Sequence, residues 1–168
     1  MAKGGAPTGG GHAQISIAGI VLIRLFLGGL FLYNGIWDVL RNTNFLLQLR
    51  AATADGGEFI LGNTLPAFST FLSHTVHPHY QMFGWVLIVG ELLIGVLFLF
   101  GLLTRLAALL AIPFSLFFLL ATLHTGSTSL GTHGSLLAME LAVLIAAAGR
   151  TWGLDSLLAK RTKVRIFW

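Results

Sequence analysis

The chain has 168 residues, is 55% hydrophobic and only 10% charged, and has a mean hydropathy of +0.85. A soluble domain is about 25% charged, so this composition excludes an ordinary water-soluble globule and a disordered chain alike, and leaves an integral membrane protein. The absence of cysteine excludes disulfides, thiolate metal sites and cysteine-ligated iron–sulfur clusters, and the net charge of +4 is scattered or C-terminal, so no nucleic-acid footprint is expected.

Residues 1–14 form a glycine-rich N-terminal tail that is expected to be disordered on its own. The first apolar run extends from about Ile15 to Leu40 and contains Arg24. It is not expected to be a cleavable signal peptide, because only Lys3 precedes it, Arg24 interrupts it, and no small-x-small cleavage site follows. A long loop, residues 41–81, comes next. It carries an apolar cluster at Phe45, Leu46, Leu47 and Leu49. Leu65, Phe68, Phe71 and Leu72 then recur at helical spacing, with Thr64 as N-cap candidate and Pro66 near N1, which predicts a short helix on the membrane or capping the bundle.

The second run is Phe83 to Leu103 and the third Leu106 to Leu123. The third contains Pro113, which is expected to kink it and free the carbonyl of Leu109. The fourth, Leu136 to Gly149, is short and is expected to borrow Gly134 and Ser135 at one end and Arg150 to Gly153 at the other. Since about 20 apolar residues cross a bilayer, the pattern predicts an all-α integral membrane protein: a four-transmembrane-helix bundle over residues 15–158, with a long outer loop containing a short interfacial helix. Residues 159–168, with Lys160, Arg161, Lys163 and Arg165 before Ile166, Phe167 and Trp168, read as a membrane-surface anchor or a docking tail. If both termini are cytoplasmic, the inner side holds Lys3, Arg105, Arg150 and the C-terminal basic residues, and the outer side only Arg41 and Arg50. This is the positive-inside arrangement.

Arg24, Glu91 and Glu140 fall inside the spans. A charge at the bilayer centre costs roughly 2.5–3.5 kcal/mol, so pairing is expected. Counted from the ends of their runs, Arg24 and Glu91 differ in depth by about 6 Å, within reach of an arginine side chain. Small residues share their faces: Gly28 and Gly35 with Arg24, Gly84 and Gly95 with Glu91. The three charges are therefore expected to meet inside the bundle. That cluster reads either as an ion-pair lock on helix register or as a proton-handling or quinone-headgroup site. Two carboxyls facing one cation imply that one of them keeps its proton.

His74, His77 and His79 lie in the outer loop, and His124 and His133 flank the turn between the third and fourth runs. Their spacing fits no closed zinc motif, so the first three are only weak metal candidates. His124, His133, Trp37 and Trp85 are candidate quinone or pigment contacts. Tyr33, Trp37, Tyr80 and Trp85 also fit an interfacial aromatic belt, and Phe114, Phe117 and Phe118 read as lipid-facing or packed.

In order along the chain stand Arg24-Leu-Phe-Leu-Gly-Gly-Leu-Phe-Leu-Tyr-Asn-Gly35, Gly90-Glu91-Leu, Gly101-Leu-Leu-Thr-Arg105, Glu140-Leu, and Gly149 to Asp155 followed by Ser156-Leu157. With this set the chain resembles the DoxX/DoxD family of small four-helix membrane proteins, which includes the DoxD-type subunit of thiosulfate:quinone oxidoreductase. The resemblance implies a bacterial or archaeal cell membrane, a redox setting, quinone as acceptor, and Arg24, Glu91 and Glu140 as the buried polar residues. The chain departs from the family at Asp38, near which many relatives carry a basic residue, in its longer outer loop, and in lacking a cysteine to hold a sulfur intermediate.

Three functions follow as expectations. The first is an accessory or scaffold subunit of a larger respiratory or photosynthetic electron-transfer complex, in contact with other subunits, lipid and any bound pigment. It rests on the aromatic exterior and the lack of a self-contained redox centre. The second is a catalytic quinone-binding subunit of a thiosulfate:quinone oxidoreductase. The third, a small proton-coupled transporter, is disfavoured by the lack of inverted repeats and broken helices.

Overall fold

The computed structural model describes residues 10–40, 44–61 and 65–146, with side chains from residue 18 onward. The expected C-terminal anchor, the Arg150–Gly153 extension, Arg41 and the Thr64 cap lie outside the described residues. Helix α1 runs Gly10–Leu40, so helix begins within the glycine-rich segment. Helix α2 (Phe45–Thr53) forms from the apolar cluster of the loop, and α3 (Pro66–Phe71) opens with Pro66 in its first turn, where the missing N–H costs nothing. A π-helical turn, Leu72–Val76, continues α3.

Helix α4 (Tyr80–Phe100) ends in a left-handed Gly101, φ 62°. There the Leu102 N–H donates to the Leu97 carbonyl at 2.9 Å, a six-to-one closure that satisfies a C-terminal carbonyl. Two residues later Leu103 is also left-handed, φ 47°, so the chain reverses within the turn and α5 (Thr104–Ala121) starts at once. Pro113 lies inside α5 on an exposed face. The short α6 (Ser127–Ser129) passes through a second π-helical turn, Leu130–Gly134, into α7 (Ser135–Ala146).

Among the described residues, four segments are long and apolar enough to cross a bilayer: Ala18–Leu40, Tyr80–Phe100, Thr104–Ala121 and Ser127–Ala146. The chain is an all-α, four-helix integral membrane protein. The fourth span gains its missing length at its N-terminal side, where α6 and the π turn extend α7.

Leu27, Phe31, Ile94, Phe98, Ala107, Ala108, Ala111 and Val143 form one buried cluster joining α1, α4, α5 and α7. Leu22, Phe26, Val89, Leu93, Phe100 and Ile145 remain exposed, as lipid-facing side chains should. The closest helix pair is α1 with α4. A Cβ at Gly28 would lie 2.8 Å from the Leu99 backbone nitrogen, one at Gly95 2.6 Å from that of Leu32, and one at Gly35 2.9 Å from Leu92 Cγ. These contacts fix an antiparallel register in which residue 28 meets 99, 32 meets 95 and 35 meets 92.

The segment between α1 and α4 folds over one end of the bundle, the loop end. The Gly101 reversal marks the other, the turn end. Leu49 and Thr53 of α2 and Leu72 and Val76 of the first π turn are buried together there. Phe68 of α3 meets Phe117 of α5 edge-on, with ring centroids 5.9 Å apart, so α3 packs on the bundle, the second of the two placements the sequence leaves open.

Candidate functional site

The α1–α4 register divides the expected charge cluster in two. Arg24 falls level with Leu103, at the turn end, whereas Glu91 falls level with Ile36. From the helical rise they are about 18 Å apart along the bundle. Counting depth from the ends of separate runs misses this, because the two helices do not end level: in this register Phe100, the last residue of α4, meets Leu27, so the part of α1 before Leu27 has no partner on α4. Arg24 is nearly fully buried, 2% exposed, beside that turn.

The two carboxyls do share a level. Gly90 is packed against the Phe114 ring, which pins α4 to α5 one residue from Glu91. From the next turn-level position on α5, Ser115 Oγ donates a 2.5 Å hydrogen bond to Glu140 Oε1 on α7. Glu140 is completely buried and Glu91 is 7% exposed. The second carboxylate oxygen of each, Oε2, is buried without a hydrogen-bond partner among the described residues. A buried acceptor left unmatched costs roughly 1–3 kcal/mol, so both atoms are places where a ligand or proton has something to gain.

Between these helices and toward the loop end lies a cavity of about 430 Å³. Helix α1 contributes Leu30, Phe31, Tyr33, Asn34, Trp37 and Asp38, α4 contributes Glu91, and α5 contributes Phe114, Ser115 and Phe118. Phe45, His133 and Leu136 complete the wall. Its aromatic surfaces come in pairs: Tyr33 stacks on Trp37 with centroids 5.9 Å apart, and Phe118 stacks on His133 at 5.8 Å and 19°. Tyr33, Asn34 and Trp37 are exposed, so the cavity opens along the loop-end half of α1. His133 lines the wall from within the second π turn, at the start of the fourth span. A second chamber of about 450 Å³ adjoins it through Phe45 and Phe118. It is lined also by Gln48, Leu49, Ala51, Ala52, Glu58 and Phe59.

Of the four candidate ring contacts, Trp37 and His133 line the cavity. His124, exposed in a 3₁₀ turn, and Trp85, 55% exposed on α4, do not. His74, His77 and His79 do not converge. His74 Nδ1 lies 2.8 Å from Ser73 Oγ, and His77 and His79 donate from Nδ1 to the Arg50 and Thr75 carbonyls, each at 3.1 Å. No group of three or more metal-ligating side chains comes together among the described residues.

Sequence reasoning missed Ser115, Asn34, Phe45 and the cavity role of Phe114 and Phe118, and noted Asp38 only as a departure from the family. Ser115 had one faint signal: it is a hydroxyl in an otherwise apolar stretch, two residues after Pro113. The whole arrangement can take a flat ring between aromatic faces and place carboxyl and hydroxyl groups at its edge. No curated protein and no solved structure matches the chain significantly. One family model does, over nearly the whole length: described as the TQO small subunit DoxD, it matches residues 20–167, and the chain belongs to the DoxD family.

Proposed function

We propose that the chain is the quinone-handling membrane subunit of a thiosulfate:quinone oxidoreductase, with the headgroup held in the cavity between α1, α4, α5 and α7. The observation that carries this reading is the buried, unmatched Glu91 Oε2 in the wall of an aromatic cavity whose α1 side, at Tyr33, Asn34 and Trp37, is exposed. Ligand pockets are largely apolar with a few convergent polar groups, and 430 Å³ lies within their usual size range. Reduction of a quinone takes two electrons and two protons. Glu91 enters the wall directly, and Arg24, about 18 Å away along the bundle, does not reach it.

With no cysteine in the chain, any covalent sulfur intermediate on a thiol belongs to a partner subunit. In this reading the loop end faces outward, which puts Arg105 of the turn end on the cytoplasmic side.

The test is Glu91→Gln, expressed with its native partners. The variant should assemble and co-purify as the wild type does, and thiosulfate-dependent quinone reduction should fall by about a hundredfold or more, as for loss of a positioned acid. Unchanged turnover would make the chain a scaffold subunit instead.

A further inference from the structure

We propose that Ser115 and Glu140 form a second proton-delivery arm into the same cavity, separate from Glu91. The proposal rests on the quinone reading above. Quinone reduction consumes two protons; one buried carboxyl group lines the cavity and a second lies behind its wall. Glu91 enters it directly from α4. Glu140, on α7, is completely buried and is not part of the wall; it reaches the cavity only through Ser115, which lines the wall and bonds Glu140 Oε1 at 2.5 Å.

A serine hydroxyl has one donor hydrogen and two acceptor positions, so it can receive a proton on one side while giving one on the other. When Glu140 is the acid, its proton lies on the short Oε1–Oγ line and the serine hydrogen turns into the cavity. Two thiosulfate ions, joined by a new S–S bond on the partner's side, release two electrons. Quinone takes them together with one proton from Glu91 and one from Ser115, which is refilled from Glu140. The products are the quinol and two carboxylates. The remaining titratable groups in the wall are Asp38 of α1, Tyr33 of α1 and His133 of the second π turn. Asp38 and His133 are half-buried, and in this scheme they pass protons from the loop end to both carboxyls after the quinol leaves.

A purely structural reading of the same bond makes it a polar clasp between α5 and α7. The two readings differ in what Ser115→Ala does. In the assembled complex, the relay predicts a fall in kcat of about tenfold or more, with the KM for quinone within about twofold of wild type, whereas the clasp alone predicts a lower melting temperature, because Glu140 Oε1 loses its partner, with kcat kept. Ser115→Thr keeps the hydroxyl and should restore most of the rate.

The second readout is infrared difference spectroscopy on quinone reduction. A protonated-carboxyl band that Glu140→Gln removes should change in the wild type and stay constant in Ser115→Ala. Wild-type kcat in Ser115→Ala, or a threonine variant as slow as the alanine one, overturns the relay. So does a Glu140 band that changes normally without the serine. If Glu91→Gln also turns over normally, the quinone reading falls with it; if only the Ser115 variants do, the relay alone falls.

Discussion

At the residue scale, the fold depends on a few positions where nothing larger than hydrogen fits. Gly95 is the clearest, since its missing Cβ would meet the backbone of Leu32, which cannot swing aside as a side-chain tip can. Gly95→Ala should therefore push α1 from α4 and cost about 1–3 kcal/mol, read as a lower melting temperature in detergent. The same residues set the register, so the variant should also disturb the cavity, because Asp38 and Glu91 approach it from the two helices that Gly95 holds together. Ser115 belongs to the opposite category. It is a small polar side chain whose replacement should leave packing intact and change only what its hydroxyl does.

At the scale of elements, the four spans were legible because a hydropathy pattern belongs to each helix by itself. Leu65, Phe68, Phe71 and Leu72 likewise announced α3, and Pro66 marked its start. What one helix at a time could not show was offset between helices. Arg24 and Glu91 seemed level when measured from their own ends. The overhang of α1 is visible only through the meetings of Gly28 with Leu99 and Gly35 with Leu92. The cavity escaped for the same reason: it is a gap between elements, and its wall draws on α1, α2, α4, α5 and α7. Glu91 and Glu140 were identifiable as costly residues in an apolar setting. Ser115 was not, because its meaning comes from Glu140 on another helix. Both π turns were invisible too, and one of them contains His133 of the cavity wall.

At the scale of the whole molecule, the two ends differ. The turn end is closed by a tight reversal with Arg24 buried beside it, while the loop end holds both chambers and the capping helices. The proposed orientation puts the chambers on the outer side. The natural lack of cysteine gives a clean test: a membrane-impermeant maleimide applied to intact cells should label Asp55→Cys in the loop and spare Leu102→Cys at the turn until the cells are opened.

If quinone binds as proposed, the exposure of Tyr33, Asn34 and Trp37 has a kinetic consequence. A molecule that reaches its binding wall sideways is drawn from the oily phase and not from the surrounding buffer, so what the protein senses is a mole fraction among lipids. Diluting the same amount of quinone into added vesicles should raise the half-saturating amount per volume in proportion to the lipid, while the half-saturating mole ratio of quinone to lipid stays fixed.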